Sequence, residues 1–435
     1  MIEITNSSSS KIGTLYIDDN LVVMRDHLRD NQFDLVYLDP PYNSKRDYNI
    51  NFKKKEDIED PEQSKGFEDT WSYLKHQAKT DAEFKRIELN DDKLSHFLQF
   101  VKEGSTKDCN HFAYLTFMSA RLQEIRRVLK PTGSVYLHVD PTESHYLKIV
   151  MDLIFGSDNF RNEIVWHYGL GGSSAKQWAS KHDVILMYSK SKDLYYVPIM
   201  VPATSNMMRG QLKKQDDVWD IPTLNNMAKE RLGYPTQKPE ALLERIIFSS
   251  CPKEGIMLDP FCGCGTSCAV AAKNGISYVG IDISLNAEEI ITKRFLDAGV
   301  SKPNIVSKNG FTVQLNVNRH LKFHNNKDKG ADGGIDGYRT FRLKDGNLFK
   351  AISSVKSGST TASQFRDFCH VVKRSGSDIG IFVMRDDPTT SMLKEQNSEG
   401  YYKNNIEIPR IQILKVDDVV SDNFIMRLPE GAIRE

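Results

Sequence analysis

Met257-Leu258-Asp259-Pro260-Phe261-Cys262-Gly263-Cys264-Gly265-Thr266 predicts a strand, a tight glycine-rich turn and the start of a helix. Gly263 and Gly265 suit a binding turn, because glycine accepts positive φ and lets the backbone approach a ligand closely. The helix that starts at Thr266 offers free backbone N–H groups. Asp282 ends the next predicted strand, where an acid binds a ribose hydroxyl in dinucleotide folds. Cys268 replaces the third glycine of the dinucleotide pattern, which favours a different adenosine-containing cofactor over a nicotinamide dinucleotide.

Strands and helices alternate on both sides of this turn. The predicted strands cover 14–17, 35–38, 134–139, 183–188, 256–259 and 278–283, and the predicted helices cover 114–129, 144–155, 241–248 and 266–273. This alternation predicts an α/β fold with a mainly parallel sheet over residues 13–300. We expect residues 1–12, which are polar and rich in serine, to form a flexible tail. We expect the charged stretch of about 45–110 to be an irregular insertion or lid.

A second motif, Asp39-Pro40-Pro41-Tyr42, follows the apolar run that ends at Leu38. Chemistry in open α/β sheets concentrates at the carboxyl ends of strands, which is where this motif is predicted to lie. A carboxylate and a backbone carbonyl that accept both N–H bonds of a nucleobase amine would make that amine a better nucleophile. Asp39 supplies the carboxylate and Pro40 the carbonyl, while Tyr42 offers an aromatic face to an extruded base. The alternative interpretation is a turn stiffened by proline.

Together the two motifs resemble the amino-group DNA methyltransferases that use S-adenosylmethionine. The catalytic motif precedes the cofactor motif, which is similar to the order of the permuted β class, and Tyr234-Pro235-Thr236-Gln237-Lys238-Pro239 resembles a flanking cofactor motif of that class. The resemblance covers about residues 13–295 and implies a Rossmann-like methyltransferase fold. By this resemblance the catalytic residues are Asp39, Pro40, Pro41 and Tyr42. The cofactor-binding residues that it implies are Asp19, Lys238, Pro239, Asp259, Phe261, Gly263, Gly265, Thr266 and Asp282.

The resemblance also implies the substrate. The family methylates adenine at N6 or cytosine at N4, and an aspartate at position 39 favours adenine. We expect the target-recognition region at about 165–232, and its candidate DNA contacts are Trp166, His167, Lys176, Trp178, Lys181 and His182. For each of these residues an ordinary structural role remains the alternative, because tryptophan and lone histidine side chains are most often part of the core. The bases that are recognised do not follow from the sequence.

Residues 311–435 are predicted to form a second, small α+β domain after a break near 301–320. Its predicted elements include a hairpin of strands 338–343 and 348–356 and a strand at 379–384. Asp332-Gly333-Gly334-Ile335-Asp336-Gly337 and Ser354-Val355-Lys356 resemble the Mrr-like branch of the PD-(D/E)xK nucleases. In that fold, acids hold Mg²⁺ and the lysine orients water or phosphate. Ser354 stands where a glutamate or glutamine is expected, and serine is a poor Mg²⁺ ligand. The domain therefore either is a nuclease that needs Mg²⁺ or keeps Asp336 and Lys356 as remnants of one.

Composition limits the remaining interpretations. The 435 residues carry 58 basic and 58 acidic side chains, so bulk positive charge cannot hold nucleic acid. Residues 311–359 nevertheless hold nine basic and four acidic side chains, which predicts a local basic surface. The cluster of Cys262, Cys264 and Cys268 lacks the paired spacing of a zinc site and predicts no metal. No apolar stretch is long enough for a membrane helix, and we expect a cytoplasmic protein.

Four hypotheses remain open at this point. The first is a DNA adenine-N6 methyltransferase of a restriction–modification or epigenetic system, which binds double-stranded DNA and S-adenosylmethionine. Its partners could include a second copy of the chain and a cognate restriction enzyme. The second is a nuclease that uses the first domain for targeting. The third is a protein or RNA methyltransferase, and the fourth is a DNA-binding protein without activity, for which a complete catalytic motif would have no purpose.

Overall fold

The computed structural model describes residues 13–43, 46–49, 65–69, 71–104, 109–169, 175–176, 178–203, 209–225, 228, 230–232, 237–306, 310–325, 334–342, 348–358, 360–402, 408–419 and 426–429. The chain forms two compact units, Met1–Val306 and Ser307–Glu435. The sequence placed the boundary between 300 and 311. Among the described residues, no helix has both the length and the hydropathy that crossing a membrane requires.

The first unit contains thirteen strands within its described residues. They are β1 Thr14–Ile17, β2 Phe33–Leu38, β3 Arg46–Asn49, β4 Lys65–Asp69, β5 Leu129–Val139, β6 Phe160–His167, β7 His182–Ser189, β8 Met200–Pro202, β9 Leu212–Lys214, β10 Val218–Asp220, β11 Ile256–Asp259, β12 Ser277–Asp282 and β13 Asn304–Val306. Nine of them make one sheet in the order β10-β6-β7-β5-β2-β11-β12-β1-β13, in which only β7 runs antiparallel to its neighbours. β3 pairs with β4, and β8 with β9, as small antiparallel hairpins.

Helices cover both faces of this sheet. They are α1 Asn20–His27, α2 Tyr73–Asn90, α3 Asp92–Gly104, α4 Asn110–Val128, α5 Ser144–Phe155, α6 Glu240–Ser250, α7 Thr266–Lys273 and α8 Leu285–Asp297, with a 3₁₀ turn at Ser157–Asn159. Helices α1 to α5 contribute to the apolar cluster on one face, and α6 to α8 to the cluster on the other. Because β2 lies inside the sheet with helices on both sides, all six of its residues are buried.

The parallel strands place the ends that carry the two motifs side by side. β2 pairs with β11, β11 with β12 and β12 with β1, all in parallel. The carboxyl ends of these four strands therefore meet at one edge of the sheet. Asp39 directly follows β2, Asp259 and Asp282 end β11 and β12, and Asp18 follows β1. This is the α/β arrangement that the alternating pattern predicted.

The second unit has a five-stranded sheet of its own. Its described elements are α9 Gly310–Leu321, β14 His324–Asn325, β15 Gly337–Arg342, β16 Leu348–Lys356, α10 Ala362–Ser375, β17 Ile379–Met384, α11 Thr390–Ser398, β18 Ile411–Lys415 and α12 Val416–Val419. The strand order is β14-β15-β16-β17-β18. β15 and β16 form the predicted antiparallel hairpin, and β17 and β18 continue the sheet in parallel. Apolar clusters with α9 and α12 on one face, and α10 and α11 on the other, enclose the sheet.

Several sequence predictions are confirmed to the residue, namely 144–155, 256–259, 266–273 and 379–384. The prediction of an irregular chain from 45 to 110 is wrong over α2 and α3. Helix α2 buries only Thr80 and Ile87 of its eighteen residues, so it leaves almost no apolar stripe in the sequence. The predicted break at 301–320 is also wrong in part, because α9 occupies 310–321.

Candidate active site

A cavity of about 320 Å³ lies at the carboxyl edge of the nine-stranded sheet. Its volume is within the range of small-molecule sites. Both sequence motifs line this cavity. The predicted site residues on its wall are Asp19, Asp39, Pro40, Pro41, Tyr42, Lys238, Asp259, Phe261, Gly263, Thr266 and Asp282. Pro239 and Gly265, the other two predicted site residues, are not among the residues that line the cavity. They are the N-cap residues of α6 and α7 and are adjacent in sequence to lining residues.

The glycine-rich turn is held by the two acids that end its neighbouring strands. Asp259 accepts hydrogen bonds from the Phe261 backbone N–H at 3.0 Å and from the Ser267 hydroxyl. Asp282 accepts one from the Gly263 N–H at 2.8 Å through Oδ2 and one from the Ser284 N–H at 2.8 Å through Oδ1. These bonds fix the curve of the turn around the cavity wall.

Burial changes the acidity of both carboxyl groups. Desolvation raises the pKa of Asp259 to about 7, against hydrogen bonds from Ser267 and the Phe261 N–H that lower it. Desolvation also raises the pKa of Asp282 to about 6, again against its two backbone hydrogen bonds. Both groups therefore titrate near neutral pH, which is unusual for aspartate and is typical of functional sites.

Two glycines of the turn have left-handed backbone geometry. Gly263 has φ +51 and Gly265 has φ +70. A Cβ atom added at Gly265 would also lie 2.7 Å from Cγ1 of Ile291 in α8, so the turn and that helix pack more closely than any side chain allows. The sequence requirement for glycine at position 265 thus comes from both conformation and packing.

The catalytic motif forms a compact charged group. Tyr42 donates its hydroxyl hydrogen bond to Oδ1 of Asp39, and Lys238 Nζ lies 2.5 Å from Oδ2 of the same carboxylate. The Lys238 side chain is 9% exposed, and its ammonium lies 5.4 Å from the centre of the Tyr42 ring. Burial, and secondarily the negative charge of Asp39, hold the pKa of Tyr42 well above its ordinary range, so this phenol stays protonated. Lys238, which the resemblance assigns to the cofactor pocket, lines the cavity and contacts Asp39.

A second group of hydrogen-bonded polar side chains, Tyr37, His138 and Asp183, lies next to Tyr42 and was not found from the sequence. The Tyr37 hydroxyl is 3.0 Å from Nδ1 of His138, and Nε2 of His138 is 3.3 Å from Oδ2 of Asp183. Burial alone would raise the pKa of Asp183, but the hydrogen bond from His138 brings it below its ordinary value. Because an ionised carboxylate only accepts, we assign the histidine proton to Nε2, and Nδ1 then accepts from Tyr37.

Asp19 and Asn20, which follow β1, contact a buried arginine. Arg121 of α4 contacts Oδ1 of Asp19 at 2.9 Å and Oδ1 of Asn20 at 2.6 Å, and its guanidinium stacks 3.4 Å from the centre of the Phe117 ring. Asn20 in turn donates to the Pro260 carbonyl at 2.7 Å, which ties this end of the cavity to the glycine-rich turn. Burial lowers the pKa of Arg121 to about 10, so it stays charged at neutral pH.

Sequence reasoning missed Asn20, Arg121, Phe117 and Trp71, all of which line the cavity. One signal for Arg121 was present, because it falls on the apolar face of a predicted helix, where a lone charge is unusual. Trp71 had no such signal. It comes from the insertion, and its ring lies 4.6 Å from that of Phe117 between centres. Its backbone N–H donates to Oδ1 of Asn43, the residue after the Asp39–Tyr42 motif, at 3.2 Å.

The candidate DNA contacts fall into two classes. Trp166 is core, since it is 2% exposed on β6 and donates to the Ile221 carbonyl at 2.7 Å. Trp178 is 96% exposed and lies in the connection between β6 and β7. Val184 near the start of β7 pairs with Val139 at the carboxyl end of β5 and with Val165 near the end of β6. The connection therefore starts and ends at the same edge of the sheet as the cavity. Lys176, Lys181 and His182 belong to the same connection or to the start of β7.

The three clustered cysteines lie in two separate environments. Cys262 and Cys268 pack in the core beside Gly280, whereas Cys264 packs with Ile290. All three are free thiols. Within the described ranges, no three side chains of histidine, cysteine, aspartate or glutamate converge as a metal site would require.

In the second unit, Asp336 and Lys356 lie at the β15–β16 hairpin, and Asp332 lies outside the described residues. Asp336 accepts hydrogen bonds at Oδ2 from the Val355 N–H at 2.7 Å and from the Ser354 hydroxyl at 3.2 Å. Ser354 is 1% exposed. The position where a nuclease would hold a second metal ligand is therefore a buried hydroxyl that donates to the first acid.

Comparisons with known proteins give the chain its family. The family model described as DNA methylase matches residues 33–293, more than half of the chain. The type II methyltransferase M.HpaI of Haemophilus parainfluenzae is 34% identical over 199 residues, which are 44% of this chain and 62% of that protein. The DNA adenine methyltransferase YhdJ of Escherichia coli K12 is 31% identical over 188 residues, which are 39% of this chain and 63% of that protein.

The matched part thus spans somewhat less than two thirds of these curated relatives. Among solved structures, the M1.HpyAVI–SAM complex matches 65% of this chain and 98% of its own, with 16% identity and a TM-score of 0.38. The family match covers every described site residue from Asp39 to Asp282, and both motifs stand within it in the order found here. The chain belongs to the N6/N4 DNA methylase family.

Proposed function

We propose that this protein is a site-specific DNA methyltransferase that transfers a methyl group from S-adenosylmethionine to N6 of adenine, in a restriction–modification or epigenetic system. The single observation that carries the proposal is the cavity in which Asp39 and Tyr42 face the glycine-rich turn and Asp282. Relatives whose names include a DNA adenine methyltransferase and type II methyltransferases support the same activity. Cytosine N4 is the alternative target.

The residues of the cavity fit this cofactor. Within the described residues its wall carries five carboxyl groups and two cationic groups, so the cavity attracts a positively charged sulfonium. Asp282 offers a carboxylate at the strand end where ribose hydroxyls bind. Phe117, Phe261 and Trp71 supply aromatic surface, and Phe117 lies 6.3 Å from Phe261 between ring centres. When bound, the cofactor supplies an electrophilic methyl group; all other parts of the chemistry belong to the chain.

The chain's own residues prepare the amine. Asp39 accepts one N–H of the target amine and the Pro40 carbonyl accepts the other, which localises the nitrogen lone pair for attack. Both proline rings fix φ, so the direction of that carbonyl is rigid. Tyr42 stacks on the extruded base, and the aromatic wall excludes water from the developing charge. Catalysis thus depends on positioning and electrostatics, without a covalent intermediate.

The assay is direct. Purified protein is incubated with DNA and labelled S-adenosylmethionine, and the product is digested to nucleosides. Label on N6-methyladenine supports the proposal, label on cytosine would replace only the adenine assignment, and no label across varied DNA would refute it. A methylome of cells that express the gene then gives the recognised sequence. The same assay with RNA or protein tests the other acceptor classes.

Asp39→Ala separates catalysis from cofactor binding. Transfer should fall by at least about 10³-fold, because the amine loses its acceptor, while the cofactor still binds. The measurements are single-turnover transfer and calorimetric titration with S-adenosylhomocysteine. Asp30→Ala, which removes an exposed acid paired with Arg127 before the start of β2, away from the cavity, is the matched control. Loss of cofactor binding in Asp39→Ala would show that Asp39 belongs to the cofactor pocket instead.

We propose double-stranded DNA as the substrate. Light scattering tests whether the protein forms a homodimer, and inspection of the neighbouring genes tests whether a cognate restriction enzyme accompanies it. We further propose that the second unit, which resembles an Mrr-like nuclease, binds DNA without cutting it. The buried Ser354 hydroxyl in place of an acid supports this role over a nuclease that uses Mg²⁺.

A further inference from the structure

Lys238 and Asp39 are far apart in the sequence but contact each other in the wall of the cavity. Lys238 directly precedes the N-cap of α6, 199 residues from Asp39 in the sequence, yet its Nζ lies 2.5 Å from Oδ2 of that carboxylate. Its side chain is almost entirely buried. An ammonium that is removed from water needs an anion close by, and breaking a buried ion pair costs much more than breaking a surface pair. Wherever Lys238 goes, a negative group must therefore accept it.

Both oxygens of Asp39 are engaged in this arrangement. Oδ1 accepts from Tyr42, and Oδ2 accepts from Lys238. The amine of a target base has to donate to the same carboxylate. A carboxylate has acceptor sites left after two bonds, but a paired ammonium neutralises its charge and weakens it as an acceptor for that amine. Asp39 therefore serves the amine best when one of the two donors has left. The Tyr42 hydroxyl is on a rigid ring three residues from Asp39, whereas Lys238 has a flexible four-carbon chain. Lys238 is therefore the donor that can leave.

The other acids of the cavity already have donors of their own. Asp19 is paired with Arg121, and Asp18 accepts from the Asp19 N–H at 2.8 Å. Asp259 accepts two hydrogen bonds, from the turn and from Ser267 of α7, and Asp282 accepts one from the turn and one from Ser284. A new anion in the same cavity would meet the requirement, and an amino-acid cofactor brings one as its α-carboxylate.

We infer that Lys238 is a positioning residue that responds to the cofactor: it holds Asp39 in the cofactor-free enzyme and moves to the cofactor's α-carboxylate on binding, which frees Oδ2 of Asp39 for the target amine. The inference rests on the proposed function, because it takes S-adenosylmethionine as the cofactor. Cofactor binding then prepares the catalytic carboxylate, and a base that enters without cofactor finds it occupied.

The first test compares two ligands that differ only in the carboxylate. S-adenosylmethionine and decarboxylated S-adenosylmethionine are titrated calorimetrically, without DNA, into the full-length wild-type protein and into Lys238→Met. We expect the substitution to weaken S-adenosylmethionine by about tenfold, the loss of one charge-assisted contact, and to change the affinity for the decarboxylated ligand by less than about twofold. Lys238→Arg should retain most of the preference.

The second test uses the opposite partner and gives an opposite sign. Asp39→Asn keeps the shape of the side chain but removes its charge, so Lys238 no longer has to leave an ion pair. S-adenosylmethionine should bind Asp39→Asn more tightly than the wild type, by about three- to tenfold, and Asp39→Asn should add nothing in a Lys238→Met background. The matched control is Lys273→Met, which removes a different lysine–carboxylate pair. In that pair, Nζ of Lys273 lies 2.6 Å from Oε2 of Glu240.

Two results would overturn the inference. In the first, Lys238→Met weakens both ligands equally, which would mean that the lysine only supports the pocket. In the second, Asp39→Asn leaves the affinity for S-adenosylmethionine unchanged or lower while circular dichroism shows a folded protein. Failure of the proposed function is a separate observation, since it is read from the absence of label on DNA with the wild-type protein. A wild-type protein that binds neither ligand would refute both.

Discussion

Single side chains decide at which pH the cavity can hold its ligand. Asp282 has a pKa of about 6 in the ligand-free protein because burial disfavours its charged form. Above that pH the group is a carboxylate, which under the proposed function would accept hydrogen bonds from ribose hydroxyls. Below it, the added proton removes one acceptor. The ionised form is therefore the one that suits the ligand, and binding should compete with protonation.

We predict that the affinity for S-adenosylhomocysteine falls as the pH drops through about 6. The decline approaches tenfold for each pH unit below that value, since one proton must leave for each ligand bound. Calorimetry from pH 5 to pH 8 measures it. Asp282→Asn should bind more weakly at pH 8 and should show a flatter profile. A wild-type profile that is flat across this range would contradict the assignment of Asp282 to the ribose.

At the level of elements, the turn between β11 and α7 tolerates little change at Gly265. Gly265 combines a left-handed φ with a close approach to Ile291 of α8. Gly299, which follows α8, has nearly the same φ of +68 but has no atom within 4 Å of an added Cβ. The two glycines thus share the conformational requirement and differ in packing.

We predict that Gly265→Ala destabilises the protein by about 2–4 kcal/mol, whereas Gly299→Ala costs about 1 kcal/mol. The first substitution pays for both strain and overlap with Ile291, and the second for strain alone. Urea denaturation, followed by tryptophan fluorescence, measures both values. Equal losses in the two variants would show that α8 moves away from the turn at little cost.

The same elements show which features the sequence could predict. β2, β11 and α7 are found from sequence because they lie inside the sheet or against it and most of their residues are apolar or small. The strand β6 was missed, since its residues Arg161 to Glu163 are polar and only Ile164 and Trp166 are buried. Motif residues were likewise found from local spacing, but the pairing of Lys238 with Asp39 joins positions 199 residues apart. Only the three-dimensional fold makes that contact.

At the scale of the whole molecule, the cavity and the excess of basic residues lie in different parts of the chain. The described residues that form the cavity all belong to the first unit, 1–306, which is also where the family match lies. The sequence from 301 to 435 carries 21 basic and 16 acidic residues, so the balanced total of the chain hides a basic second part. A basic unit joined to a methylase can increase the affinity for DNA without contributing to catalysis.

The β15–β16 hairpin of the second unit lacks a complete set of Mg²⁺ ligands among its described residues. We therefore predict that the full-length protein leaves supercoiled plasmid intact in the presence of Mg²⁺. Asp336 is held by the Val355 N–H and by Ser354, and Ser354 offers no charged oxygen to a cation. Lys356→Ala should then leave the plasmid unchanged and weaken DNA binding in a filter assay by a few-fold. Lys350→Ala, an exposed lysine on the same strand, is the matched control. Nicking by the wild type that Lys356→Ala abolishes and Lys350→Ala retains would show an active nuclease, and a metal ligand other than Ser354 would then have to complete its site.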